Sequence, residues 1–109
     1  MADEKLLKLL LDDRFFDMNN IIDTQSGKAD FSDANLRARD LRGCKFKKVN
    51  LKNAYLRLAD LRGLDLREAD LEGASLRDAK ISGTYFPSNL DPQEIALSVE
   101  HGTRLRVKP

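Results

Sequence analysis

From Phe31 to Phe86 a large apolar residue returns at every fifth position: Phe31, Leu36, Leu41, Phe46, Leu51, Leu56, Leu61, Leu66, Leu71, Leu76, Ile81 and Phe86. Two positions before each anchor the residue is usually small, as at Ala29, Ala34, Cys44, Ala54, Ala59, Ala69, Ala74 and Ala79. The position just before the anchor is often Asp or Asn: Asp30, Asn35, Asp40, Asn50, Asp60, Asp65 and Asp70. The position just after is mostly basic, and the next is glycine at Gly43, Gly63, Gly73 and Gly83.

A period of five excludes a helical stripe, because five residues turn a helix through about 500° and successive anchors would wander around its surface. Within one unit, however, the small residue and the anchor are two apart, which is strand spacing, and both point the same way. The next two residues must break the alternation so that the following unit restarts in phase. A short extended piece followed by a corner does this, and glycine suits a corner that needs an unusual backbone conformation. A chain that bends the same way every five residues coils. Its inward side chains stack from coil to coil, and neighbouring coils pair through their backbones.

These stretches, "ADFSDANLRARDL" and "ADLRGLDLREADLEGASLRDAKI", resemble the pentapeptide-repeat family, whose motif is roughly A-(D/N)-L-X-X. The resemblance covers residues 29–88 in twelve tandem units. It implies a mainly β fold, a right-handed quadrilateral β-helix or β-solenoid with four units per coil, hence about three coils (29–48, 49–68 and 69–88). Two inward positions depart from the motif. Leu64 is large where alanine is usual, which a local bulge could accommodate. Arg39 is charged, which is costly inside so narrow a core, so it is expected to turn out of the open end and pair with Asp17 or Asp23.

A solenoid end exposes apolar side chains and unpaired backbone, so each end needs a cap. Three segments follow: an N-terminal helical cap and connector over 1–28, the repeat shaft over 29–88, and a C-terminal capping helix with a short strand over 89–109. At the N-terminal side, Leu7, Leu11, Phe15 and Met18 have helical spacing over residues 4 to about 18. The alternative is an incomplete extra coil, since Leu11, Phe16 and Ile21 fall in the five-residue phase. At the other end Asp91 can cap a helix whose first residue is Pro92, with Glu94 in its first turn and Gly102 after its last residue. In "TRLRVKP", Leu105 and Val107 alternate with Arg104, Arg106 and Lys108, which predicts a short terminal strand.

Composition narrows the chemistry. The 109 residues hold 19 basic and 18 acidic side chains, a formal charge of +1, so the chain is neither a polyanion-binding arm nor an acidic mimic overall. One cysteine permits no intrachain disulfide. The N-terminal apolar cluster Leu6–Leu11 is interrupted by Lys8 and flanked by acids, unlike a secretory signal, and is too short to span a membrane. A cytoplasmic protein with no membrane partner is expected. Nothing reads as catalytic, and no cofactor or metal site is expected. His101, the one histidine, stands at an expected helix C-terminus, where positive charge is favoured. Cys44 fills a small inward slot, no Cys/His cluster has ligand spacing, and no phosphate-loop motif occurs.

The outer face holds the remaining information. With four units per coil, residues twenty apart stack, so Arg37, Arg57 and Arg77 form one column, Arg42 and Arg62 a second, and Lys47 and Arg67 a third. Asp40 and Asp60 stand beside the second and can partly neutralise it. Beside the first stand Asn35, Tyr55 and Ser75, with Ala38, Leu58 and Asp78 at the corner, so Arg37, Tyr55, Arg57, Leu58 and Arg77 form a candidate interaction surface of the composition that interfaces favour at their centres. Mimicry of DNA toward gyrase, an activity of some members of the family, is disfavoured. Residues 29–88 hold twelve basic and nine acidic residues, net +3, and three coils are only about 14 Å tall, where duplex DNA carries about one charge per 1.7 Å. Nucleic-acid binding through the basic columns is weakened by the interspersed acids and the lack of an aromatic platform. The expectation is a non-enzymatic protein-interaction or scaffold module whose partner is another protein. One side of the shaft, about 16 by 14 Å, is smaller than the roughly 800 Å² per partner of a stable interface, so a homodimer through the C-terminal strand is a further possibility.

Overall fold

The structure, a computed structural model, describes residues 2–109. Its centre is a ladder of single parallel bridges between residues twenty apart: Asp30 with Asn50, Asn35 with Tyr55, Asp40 with Asp60, Asn50 with Asp70, Tyr55 with Ser75, Asp60 with Lys80, and Asp65 with Tyr85. Four five-residue units thus make one circuit. The backbone pieces between corners are too short to count as strands, yet they bond as strands do. Leu36 N–H donates to the Tyr55 carbonyl, and Tyr55 N–H donates to the Ala34 carbonyl, each at 2.9 Å.

The anchors fill the inside. All eight from Phe31 to Leu66, together with Leu71 and Leu76, are buried, whereas Ile81 and Phe86 in the last units are half-buried. Phe31 and Phe46 meet in the first circuit with ring centroids 4.9 Å apart. The small slots are closed as well, and Leu64 is accommodated among them as a buried residue. Truncating an anchor would therefore open a cavity against close-packed neighbours, a change that costs about 2–5 kcal/mol for Leu→Ala.

The corners are of two kinds. At Asp33, Ala38, Gly43, Asn53, Leu58, Gly63, Gly73, Asp78 and Gly83 the backbone is left-handed, with φ between 58° and 90°. Lys48 and Glu68, at the equivalent corner of the fourth side, have no positive φ. Glycine thus marks four left-handed corners, and Ala38 and Leu58 adopt the same conformation despite their Cβ atoms.

The N-terminal apolar stretch is helical, but in two pieces: α1 (Glu4–Leu11) and α2 (Phe15–Thr24). The single helix expected over 4–18 breaks at Asp12–Arg14. Asp13 turns left-handed at φ 58°, its N–H donates to the Leu10 carbonyl, and Arg14 N–H donates to the Leu9 carbonyl. That bond pattern is a Schellman stop, here with aspartate in place of the usual glycine. The break changes the buried stripe as well: Leu6 and Leu10 are buried rather than Leu7 and Leu11, and Met18 joins them from α2. Asp3 caps α1 by accepting from Lys5 N–H and Leu6 N–H, and its own N–H donates to the Asp30 carbonyl of the first circuit. Arg39 does turn outward, but it pairs with neither expected acid. Asp17 is held by Arg14 and Asp23 by Lys45, while Arg39 Nη1 donates to the Leu11 carbonyl at 3.4 Å. A cation at the last carbonyls of α1 complements the helix dipole.

α3 (Pro92–His101) begins at Pro92 and stops at Gly102, left-handed at φ 75°. The Asp91 carboxylate does not cap it. Instead it takes Lys108 Nζ at 2.6 Å. Buried Ser98 accepts the Leu76 N–H on its Oγ at 2.8 Å, and the Val99 carbonyl accepts Asp78 N–H. The expected terminal strand reduces to one antiparallel bridge, Ser75 with Arg104. Beyond it the N–H groups of Arg106 and Val107 donate to the side chains of Glu94 and Glu72, not to a neighbouring strand. The alternation itself holds, with Leu105 buried and Arg104, Arg106 and Lys108 exposed.

The corner geometry gives a paired prediction. A Cβ at Gly73 would overlap Asn53 Oδ1 of the circuit below, whereas one at Gly43 meets nothing within 4 Å. Both substitutions incur the left-handed penalty of about 1–2 kcal/mol. Gly73→Ala should therefore lower the urea midpoint clearly further than Gly43→Ala. Equal losses would contradict the stacking of Asn53 on Gly73.

Candidate functional site

The Asp/Asn position before each anchor has a defined local task. Its side-chain oxygen accepts the N–H two residues on: Asp30 from Ser32, Asn35 from Arg37, Asp40 from Arg42, Asn50 from Lys52, Asp60 from Arg62, Asp65 from Arg67 and Asp70 from Glu72, at 2.8–3.2 Å. These Asx turns hold the chain through the start of each corner. The many aspartates are therefore parts of the backbone architecture rather than free surface charges.

Where the residue after the anchor is arginine, the same carboxylate also grips the guanidinium. Asp40 holds Arg42 Nε and Nη2 at 2.9 and 2.8 Å, Asp60 holds Arg62 at 2.9 and 2.7 Å, and Asp65 holds Arg67 at 3.0 and 2.9 Å. Arg42 also reaches up to Asp60, with Nε 3.3 Å from the carboxylate. The second column is thus a ladder of alternating charge. In the third, Lys47 stands 3.4 Å from Glu68, and Arg67 lies over the Tyr85 ring at 5.4 Å. The tripeptide Asp-Leu-Arg at 40–42, 60–62 and 65–67 is the sequence signal for this self-neutralisation, and the Asp65–Arg67 instance is one that column arithmetic alone does not reveal.

The first column is different. Two residues before Arg37, Arg57 and Arg77 stand Asn35, Tyr55 and Ser75, so this fork has no carboxylate. Backbone bonds place the three arginines one above another: Ala38 N–H donates to the Arg57 carbonyl, and Leu58 N–H to the Arg77 carbonyl. Among the described residues neither Arg37 nor Arg57 forms an ion pair, and Arg77 Nε lies 3.8 Å from Asp78. Arg57 is half-buried, and its Nε is closed off from solvent with no hydrogen-bond partner. Tyr55 and Leu58 beside it are 37% and 43% exposed, high for residues of their size. The structure therefore brings Arg37, Tyr55, Arg57, Leu58 and Arg77 onto one side. It adds the C-terminal segment, with Gly102 packed on the Arg77 side chain, Ser75 Oγ donating to the Gly102 carbonyl, and Arg104 Nη1 donating to the Gly73 carbonyl.

The reactive residue types lie elsewhere. Cys44 is buried, and burial, assisted by nearby Asp40, pushes its thiol up to about 12, so it is protonated at neutral pH. His101 is exposed at the end of α3. Among the described residues no group of three or more His, Cys, Asp and Glu is placed to hold a metal ion, and no helix is long and apolar enough to cross a membrane.

The carboxylate forks carry a pH dependence. The Arg62 guanidinium holds Asp60 well below the ordinary carboxylate range, with Arg42 assisting. Arg67 brings Asp65 down to about 2, and Arg42 lowers Asp40. The unfolded chain protonates near the ordinary value of about 3.9. Folded-state values below this mean that the forks stabilise fully above about pH 4 and lose that contribution as pH falls toward 2. The urea midpoint should stay level from neutral pH to about 5 and fall below about 4, with Asp60→Asn showing a shallower fall. An identical acid limb in the two proteins would remove Asp60 from the account.

The repeat is matched independently. A family model described as pentapeptide repeats fits residues 29–63 and 54–87, in 8 copies. No curated protein matches the chain. Among solved structures, the crystal structure of alr5209, a pentapeptide repeat protein from Nostoc Pcc 7120, aligns at 39% identity with a TM-score of 0.56. The alignment covers 61% of this chain and 55% of that one, so this chain spans about half the length of that relative. Both findings imply a right-handed β-helix for the coiled segment. On the strength of a match that takes in more than half of its residues, the chain belongs to the pentapeptide-repeat family.

Proposed function

We propose that the chain is a small, non-enzymatic protein-interaction module that docks an acidic surface of another protein in the cytoplasm. Its body is a four-sided shaft of about three coils over 29–88, capped by α1 and α2 over 1–28 and by α3 and the terminal segment over 89–109. The bridges at intervals of twenty and the hydrogen bonds from both terminal segments to the outer circuits support that outline.

One observation carries the reading. Every Asp-Leu-Arg fork neutralises its own guanidinium, and the Arg37–Arg57–Arg77 side replaces the aspartate by Asn35, Tyr55 and Ser75. That side offers Arg37 and Arg57, which have no ion pair among the described residues, and Arg77, whose Asp78 contact is a long 3.8 Å, around an exposed aromatic ring, a combination suited to carboxylates on a partner. The adjoining Gly102–Arg104 segment enlarges a side that is too small alone for a stable interface. The ion-paired second and third columns leave few cations free to follow a phosphate backbone, which favours a protein partner over nucleic acid. A homodimer through the terminal segment is less favoured, because the N–H groups of residues 105–108 are all engaged within the chain.

The test is affinity capture from the native cell with three baits: the natural chain, Tyr55→Ala/Arg57→Ala, and Arg62→Ala on the second column. A partner specific to this side should be retained by Arg62→Ala and lost by the double variant. Its affinity should fall at least tenfold, a change of about 1.4 kcal/mol, within the range of single interface anchors. Equal loss in both variants, or capture of nucleic acid alone, would overturn the proposal. Far-ultraviolet circular dichroism of each bait separates lost binding from lost folding.

A further inference from the structure

Two sides around the shaft from the Arg37–Arg57–Arg77 column, the ladder fails at one rung. Lys45 and Asp65 are twenty apart, yet no bridge joins them. Among the described residues neither Phe46 N–H nor Asp65 N–H meets an acceptor, although the corresponding groups on the other sides do. The local causes are visible. Asn19 of α2 binds the Gly43 carbonyl through Nδ2 at 2.9 Å and accepts Lys45 N–H at 3.0 Å, tying this piece of the first circuit to the helix. The following corners at Lys48 and Glu68 lack the left-handed turn, and Glu68 N–H donates instead to the Lys47 carbonyl.

A cleft of about 950 Å³ opens at this place, between the 22–29 segment and residues 44–48. That is a size typical of small-molecule sites, roughly 300–1,000 Å³. Half-buried Ile22 gives it an apolar side in front of Ala29 and Phe46, which are 2% and 1% exposed, and four lysines line it: Lys28, Lys45, Lys47 and Lys48. Its acids are Asp23, Asp65 and Glu68. Asp23 pairs with Lys45 at 2.7 Å and Glu68 with Lys47 at 3.4 Å, while Asp65 is already taken by Arg67. Lys48 has no carboxylate within 4.0 Å among the described residues, and Lys28 reaches only the Glu68 backbone carbonyl, at 3.2 Å. Two lysines without a carboxylate partner, the two residues whose amides are unpaired and the apolar side chain of Ile22 line one opening.

We infer that this cleft binds a small organic dianion of the phosphomonoester class. Lys28 and Lys48 match its two charges, the unpaired Phe46 and Asp65 amides supply donors, and its organic part rests on Ile22 and the methylene stems of the lining lysines.

The probe is phenyl phosphate, titrated into the ¹⁵N-labelled chain and followed by amide chemical shifts. Saturable shifts are expected at Phe46 and Asp65, with a dissociation constant at or below about 1 mM, equivalent to about −4 kcal/mol. Lys28→Ala/Lys48→Ala should weaken binding at least tenfold, and Arg62→Ala, remote from the cleft, should leave it unchanged. Inorganic phosphate should bind more weakly, because it has nothing to bury against the wall. Absence of saturable shifts at about 10 mM phenyl phosphate, equal affinity in the double-lysine variant, or equal affinity for inorganic phosphate would each overturn the assignment. Because the side carrying Tyr55 and Arg57 is untouched by these substitutions, either proposal can fail without the other.

Discussion

In-register pairing between residues twenty apart is the constraint on which the rest of the molecule depends. A rung forms only if the chain returns to the same phase after each circuit, and this fixes the unit at five residues and the corner at two. Once phase is kept, leucine stands over leucine and alanine over alanine, so one rule produces both the backbone ladder and the core. An added residue within a circuit would turn inward side chains outward, as a register slip does in a sheet. The left-handed corners at Ala38 and Leu58 show how strongly the ladder governs local conformation. Neither residue favours that geometry, and each is held in it because its N–H donates to the circuit above, Ala38 to Arg57 and Leu58 to Arg77.

The same economy of parts determines what the surface can do. The aspartate that begins an Asx turn also neutralises the arginine two residues on, so a perfect repeat yields a charged but internally satisfied face. Potential for binding arises where the repeat departs from itself. Tyr55 and Ser75 replace the fork's aspartate and leave Arg57 without an acid and Arg77 with only Asp78, 3.8 Å away. Lys45 stands in another such slot, beside the rung that α2 pulls open through Asn19. Side chains that satisfy the motif serve architecture, and the chemistry left for a partner or ligand is found at the exceptions.

Much of this was legible in the sequence because a period of five is incompatible with a simple helix or flat strand, and twelve successive anchors leave little freedom. The burial of Phe31 to Leu76 and the stacking at twenty follow from spacing, and the position of α3 from Pro92 to His101 follows from the proline at its start and the glycine after its end. The misreadings fall where side chains compete for one partner. Asp13 stops α1 without glycine, so nothing in the 4–18 stretch marked the break. Asp91 could cap α3, but Lys108, distant in sequence, claims its carboxylate. Arg39 finds no acid because Arg14 and Lys45 hold Asp17 and Asp23, which leaves it the carbonyl of Leu11. The terminal strand failed for a related reason, because Glu94 and Glu72 reach the N–H groups that a neighbouring strand would need. Periodicity specifies stacking, but it is silent on contests between single side chains brought together only by the fold.

The two ends of the ladder resolve their unpaired edges unequally. At the first circuit α1 and α2 bring Leu6, Leu10 and Met18 into the core itself. At the last circuit the C-terminal segment serves only part of the edge: Gly73, Leu76 and Asp78 donate to Leu105, Ser98 and Val99. The remaining donors, at Leu71, Ile81, Gly83 and Phe86, meet no acceptor among the described residues, and the Ile81 and Phe86 side chains stay half-buried. A ladder loses cooperativity where a rung has a neighbour on one side only, so residues 79–86 form the least supported part of the shaft. The Arg37–Arg57–Arg77 side lies instead under the covered part of that edge, where Gly102 packs on Arg77 and Ser75 pairs with Arg104. The same C-terminal segment therefore closes the ladder and braces the side proposed for recognition, so the rigidity needed to preorganise that surface comes from the cap rather than from additional coils.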